Sequence, residues 1–71
     1  MSSSEYDQLR EAQGNLCAIC HRPQAFALGV DHDHATGRIR GLLCRNCNQG
    51  LGYFADDPER LLRAISYLNR P

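Results

Sequence analysis

Two Cys-x-x-Cys pairs 23 residues apart, a hairpin pattern between them and an amphipathic helical stripe near the end of the chain predict a small α+β domain stapled by zinc. The length makes a staple necessary. Seventy-one residues form one domain, and a core that small supplies no more than about 3–5 kcal/mol of net stability. Residues 1–71 read as a single unit. It comprises an N-terminal helix over 1–14, the zinc knuckles with the hairpin and a following helix over 15–54, and a C-terminal helix over 56–70.

The elements follow in order. Ser4 can cap the first helix, with Asp7 three residues on as a capping box. Tyr6, Leu9 and Ala12 would face inward, and Gly14 is a natural stop. Residues 25–31 read as a short strand and 38–43 as its partner. Gly37 in the Ala35-Thr36-Gly37 loop is free to take a positive φ, which gives a hairpin. Residues 44 to about 54 read as a knuckle running into a short helix weakened by Gly50 and Gly52. In the last helix Asp57 is the cap, Pro58 sits at the first turn and Glu59 favours the positive helix end. Leu61, Leu62, Ile65 and Leu68 fall on one face at helical spacing, which predicts a core stripe, and Arg60, Arg63 and Arg70 read as its solvated side.

Formal net charge is zero, which is not the balance of a strongly basic nucleic-acid binder. All eight basic residues are Arg. The planar guanidinium matches phosphate, so this usage is compatible with phosphate contacts, although a GC-rich genome gives the same bias. No apolar run is long enough to cross a bilayer, and residues 1–5 lack the basic and apolar regions of a signal peptide. The expected compartment is the reducing cytoplasm, where cysteines serve as metal ligands rather than disulfides.

Cys17, Cys20, Cys44 and Cys47 at this spacing predict one tetrahedral zinc site, one ion per chain, and an apo protein that is largely unfolded. Cys17-Ala18-Ile19-Cys20-His21 also fits the pattern of covalent haem attachment, but that leaves Cys44 and Cys47 unexplained. A redox dithiol would sit near a βαβ pattern, and none is present. A zinc site of three cysteines and His21 is a further alternative.

A four-thiolate zinc is coordinatively closed, so any chemistry lies elsewhere. Asp31-His32-Asp33-His34 is the candidate, against the plain reading of a polar hairpin tip. Closing the zinc site would bring Asn48, near the start of a helix, toward the hairpin. Asp31 and Asn48 then offer two hard oxygens to a Mg²⁺-type ion, which keeps waters and accepts substrate phosphate. An imidazole titrates near neutrality and suits a general base. One tension is geometric: in a regular strand His32 and His34 share a face while Asp31 points to the other, so an irregularity is expected near residue 31. Arg38 and Arg40 on the returning strand, with Arg45 just beyond, are the candidate DNA phosphate contacts.

The order Cys17-x-x-Cys20, Asp31-His32-Asp33-His34, Gly41-Leu42-Leu43-Cys44, Cys47-Asn48 and Gly50-Leu51-Gly52 resembles the phage recombination endonuclease VII family, among the His-Me finger (HNH, ββα-metal) nucleases. The resemblance runs from about Leu16 through the last helix. It implies a ββα-metal core within residues 15–54, flanked by the N- and C-terminal helices. Cys17, Cys20, Cys44 and Cys47 would hold structural zinc, and Asp31 and Asn48 a catalytic Mg²⁺ or Mn²⁺. His32 would be the general base for phosphodiester hydrolysis and His34 would sit near the scissile phosphate. Asp33 has no assigned role. A phage-encoded protein in a bacterial host is implied.

Larger members of that family carry a further C-terminal helical region that dimerises and grips branched DNA, whereas this sequence stops at Pro71. The expected activity is therefore nicking or cutting of DNA with little sequence readout rather than junction resolution. DNA is the expected partner, with no membrane, and with a weak homodimer or a phage protein as further partners. The rival reading is a non-catalytic zinc-ribbon module that binds DNA or protein, and a third is a pure scaffold. Neither rival needs Asn48 together with His32.

Overall fold

The computed structural model describes all residues, Met1–Pro71. Its elements run α1 (Ser3–Ala12), β1 (Gly29–His32), β2 (Ile39–Leu43), α2 (Arg45–Tyr53) and α3 (Pro58–Leu68). β1 and β2 form a two-stranded antiparallel hairpin, and no helix is long and apolar enough to cross a membrane.

Ser2, not Ser4, caps α1: its side chain accepts the Glu5 N–H at 3.1 Å. Ser2-x-x-Glu5 places a glutamate at the third helical position, a better capping pair than Ser4 and Asp7. Gly14 stops the helix in the left-handed region at φ 66°. Tyr6 and Leu9 pack against the core, while Ala12 is exposed.

β1 is shorter than the sequence suggests. Gly29 pairs with Leu43, and after Leu43 the partner chain turns into Cys44, the cap of α2. Residues 25–28 therefore find no ladder partner, and Phe26 lies almost wholly exposed. The hairpin loop is organised by Asp33. Its Oδ1 accepts the N–H groups of Ala35 at 2.8 Å and Thr36 at 3.3 Å, and Gly37 takes the positive φ.

The core is small. Cys17, Leu28, Leu42, Leu43 and Cys44 are its buried apolar members, with Tyr6, Leu9, Val30 and Leu51 packed around them. Two of the five are cysteines of the two knuckles, so the core and the candidate metal centre are one structure. α1 is fastened to it by the Tyr6 hydroxyl, which donates to the Leu28 carbonyl at 2.6 Å.

α3 has the expected cap, with Asp57 accepting the Glu59 N–H at 3.0 Å, but not the expected role. None of its residues is buried. Leu61 is half-buried, and Leu62, Ile65 and Leu68 are exposed, so the stripe is not core. The molecule is correspondingly elongated, 45 × 28 × 17 Å.

Candidate metal and active site

The four cysteines converge. The Sγ atoms of Cys17, Cys20, Cys44 and Cys47 all lie within 4.8 Å of one another, and Cys20 and Cys44 are 3.9 Å apart. A tetrahedron with metal–sulfur bonds of about 2.3 Å has edges of about 3.8 Å, so the thiols fit a single tetrahedral ion. The Ile19 N–H points at Cys17 Sγ and the Cys47 N–H at Cys44 Sγ, each at 3.4 Å, as two folded-back knuckles require. His21 is exposed and outside the cluster, which removes the three-cysteine alternative.

Burial and hydrogen bonding act on two of the thiols in opposite senses. Burial alone would raise the Cys17 thiol, but backbone hydrogen bonds from Cys44, Cys20 and Ile19, with the Cys20 side chain, hold it down at about 6. Burial pushes the Cys47 thiol up to about 12, reinforced by hydrogen bonds with the other three thiols and by the charge of Cys17. The protein thus supports one thiolate and resists another, and a bound dication supplies what full ionisation needs.

On the hairpin, the expected irregularity is present. Asp31 pairs with Gly41 and His32 with Ile39, which leaves Arg40 as an extra residue on β2. Such a bulge re-aims its side chain. Arg40 reaches across to Asp31, with Nε at 2.8 Å from Oδ2 and Nη2 at 3.1 Å from Oδ1. Asp31 is the one buried charged residue, at 8% exposure. Its hydrogen bonds raise the already high pKa of Arg40 further. The same Nη2 lies 3.4 Å from Asp56 Oδ2, and His34 Nε2 lies 3.3 Å from that oxygen. Asp31, Arg40, Asp56 and His34 therefore form one chain of charge contacts.

Asp31 and Arg40 line a groove of about 240 Å³ with Ala18, Ile19, Gly41, Leu43 and Leu51. Leu51 belongs to α2, which lies against β1. Asn48 precedes Leu51 by three residues, so it stands on the same side of that helix, one turn nearer the knuckle. Its amide oxygen and the Asp31 carboxylate are the hard donors a Mg²⁺-type ion selects, and the groove leaves room for its waters. The donor types suit such an ion, although Asn48 does not line the groove and both Asp31 oxygens already accept from Arg40. His32 and Asn48 are both exposed. A larger groove of about 340 Å³ beside Cys44 and Phe26 is lined by neither Asp31 nor Arg40.

The proposed phosphate contacts separate. Arg38 and Arg45 are exposed and make no ion pair, whereas Arg40 is engaged by two carboxylates. Asp33 faces its own turn rather than a histidine. Asp56 was not legible from the sequence. It sits between two helices, and the only local signal is an Asp-Asp pair before Pro58, which reads as capping.

Known proteins resemble this chain in sequence and in fold. The chain is 47% identical over 74 aligned residues to the gene 59 protein of Mycobacterium phage D29, and 47% identical to that of Mycobacterium phage L5. Each alignment covers the whole of this chain and 45% of the relative, so the chain spans less than half the length of these curated relatives. Among solved structures, the ββα-Me type II restriction endonuclease Hpy99I superposes with a TM-score of 0.65 at 36% identity, over 94% of this chain and 40% of that one. The family model for recombination endonuclease VII matches residues 1–70. With a ββα-Me neighbour and nearly every residue inside that match, the chain belongs to the recombination endonuclease VII family.

Proposed function

We propose that this chain is a divalent-metal-dependent DNA endonuclease that hydrolyses phosphodiester bonds. The observation that carries the reading is the juxtaposition of buried Asp31 and exposed His32 across the bulge, on a strand backed by the helix that bears Asn48. Asp31 and Asn48 would hold Mg²⁺ or Mn²⁺, and the four cysteines would hold one structural zinc. The catalytic ion would polarise the scissile phosphate and stabilise the leaving oxygen.

The chain's own residues do the rest. His32, open to solvent, accepts a proton from a water through a ring nitrogen as the water oxygen attacks phosphorus. The P–O bond to the leaving sugar oxygen breaks, and that oxygen takes its proton from solvent. His34 stands near the phosphate, held at the rim by Asp56. Of the three candidate arginines, Arg38 and Arg45 are exposed and free of ion pairs, and they are the two available to flanking phosphates.

The test is supercoiled-plasmid nicking by zinc-loaded protein with EDTA, Mg²⁺ or Mn²⁺, beside His32→Ala with the same zinc content. Nicking that requires the divalent ion and disappears in the variant is the expected result. Full activity in His32→Ala removes His32 as base. A non-catalytic zinc-ribbon module binding DNA or protein is the second reading, and one observation favours it: the Asp31 carboxylate is already matched by the Arg40 fork. Under that reading zinc-loaded wild type nicks with neither ion.

A further inference from the structure

We propose that Arg40 and Asp56 are positioning residues that set the divalent-cation affinity of Asp31. Arg40 shares the Asp31 carboxylate with the incoming ion, and Asp56 is the anchor that holds the guanidinium when Asp31 gives up an oxygen. The inference rests on the reading of Asp31 as a metal ligand.

Three observations carry it. First, Arg40 is aimed at Asp31 by the backbone, because it is the unpaired residue of the bulge. Second, the fork is divided. Nε and Nη2 both bond Asp31, and Nη2 also lies 3.4 Å from Asp56 Oδ2. The guanidinium can therefore loosen one bond to Asp31 without losing its place. Third, Asp56 is presented by an uncommon backbone. Ala55 and Asp56 both take left-handed φ, 57° and 53°, in the turn between α2 and α3. That turn, closed by the Asp56 N–H on the Leu51 carbonyl at 2.9 Å, swings the carboxylate back toward the hairpin.

The charges explain the division. A buried carboxylate requires a partner, and Arg40 supplies it for Asp31. Among Asp31, Asp56 and Arg40, two carboxylates face one guanidinium, which leaves one negative charge in excess. A dication reverses that to one positive charge, and a phosphodiester cancels it. A lone Arg40–Asp31 pair would offer no such excess and would oppose the dication directly. Asp56 thus makes the site receptive, and the Arg40 donors released from Asp31 stay within the site.

The experiment measures Mn²⁺ affinity in zinc-loaded protein by the free-ion electron paramagnetic resonance signal, without DNA. The proteins are wild type, Arg40→Lys, Arg40→Gln, Asp56→Asn and the Arg40→Gln/Asp56→Asn double variant, with Asp31→Asn as control. Arg40→Gln should tighten Mn²⁺ about five- to tenfold, the effect of removing one screened charge a few ångströms away. Arg40→Lys keeps the charge but loses the fork, and should tighten it about twofold; it also serves if Arg40→Gln does not fold. Asp56→Asn should weaken Mn²⁺, and the loss should be clearly smaller in the double variant, where only the charge of Asp56 is removed and no guanidinium is left to anchor. A loss of equal size in both backgrounds would make Asp56 a mere distant charge and overturn the proposal. So would unchanged affinity in both Arg40 variants. Wild type that binds no Mn²⁺, or binds it as Asp31→Asn does, instead defeats the metal-ligand reading itself, and the proposal with it.

Discussion

Gln13 closes the free edge of β2 by pairing with the backbone of Leu42 as a strand would. Its Oε1 accepts the Leu42 N–H at 2.9 Å, and its Nε2 donates to the Leu42 carbonyl at 3.0 Å. Leu42 is fully buried, so neither group has water as an alternative. Gln13→Ala should therefore cost about 1–3 kcal/mol, the penalty of an orphaned buried donor. Denaturant unfolding of zinc-loaded protein measures the cost, and hydrogen exchange should show the Leu42 amide losing protection most. A neutral effect would mean that water reaches this edge.

Gly41 depends on the same contact. A Cβ there would stand 3.3 Å from Gln13 Oε1 and 3.8 Å from the Ala18 Cβ. Because that oxygen is held by Leu42, it has little freedom to retreat. Gly41→Ala should destabilise by about 1 kcal/mol, at the low end for overpacking. In a Gln13→Ala background the cost should shrink, since the obstructing oxygen is gone. Equal cost in both backgrounds would place the obstruction elsewhere.

Removing the ion that the proposed function places on the four cysteines, zinc, should unfold the domain rather than loosen it. Two of the five core residues are cysteines of the cluster, and Cys44 is also the N-cap of α2. Structural zinc contributes about 10–16 kcal/mol of apparent binding free energy, more than a core of this size. Chelation followed by circular dichroism should show loss of helical signal together with loss of the tertiary spectrum. Cys44→Ser should behave alike without chelator, and a well-folded Cys44→Ser protein would contradict the assignment.

These features differ in how far the sequence announces them. The cysteine spacing, the Gly37 turn and the Asp57-Pro58 cap are local, so a few neighbouring residues specify each. The Asp31–Arg40–Asp56–His34 chain is not local. It depends on a one-residue bulge in β2 and on a turn between helices, 25 positions from Asp31, and no short motif encodes either. Gln13 falls outside pattern reading for the same reason, because a polar residue at a helix end carries no mark of its strand partner.

Asp33 gives a pH dependence with a definite sign. The Ala35 and Thr36 N–H groups bond its carboxylate and hold its pKa below the ordinary value. Its contribution is therefore present above the ordinary carboxylate range and lost as pH falls through the lower folded value. Asn at this position keeps the acceptor oxygen without titrating. The stability difference between wild type and Asp33→Asn should shift against wild type as pH falls through the carboxylate range. Taking the difference cancels protonation of the cysteines, which both proteins share. A difference that stays flat through the carboxylate range, or shifts in favour of wild type, would contradict the assignment.

Salt dependence separates the arginines. Each phosphate neutralised contributes roughly 0.9 to the slope of log affinity against log salt. Under the proposed function Arg38 and Arg45 contact phosphates, and replacing either with Ala should then reduce the slope of DNA binding by about that amount. Arg40 is engaged by Asp31 and Asp56, and its replacement should change the slope less in the absence of a divalent ion. Equal slopes for Arg38→Ala and wild type would turn Arg38 into a solvated surface residue.

The apolar stripe of α3 makes the sharpest contrast between periodicity and packing. Helical spacing of leucines signals an amphipathic helix, but it does not say what the apolar face meets. Leu62 and Ile65 are 63% and 54% exposed, while Leu42 is at 0%. Leu62→Ala and Ile65→Ala should each change the stability of this chain by less than about 0.5 kcal/mol, as surface substitutions do. Leu42→Ala should cost about 2–5 kcal/mol. An eleven-residue helix held by its cap and by Glu59–Arg63 at 3.5 Å is marginal by itself, so its amides should exchange far faster than those of β2. Slow exchange in α3, with large losses at Leu62 and Ile65, would mean that the helix folds back onto the domain in solution.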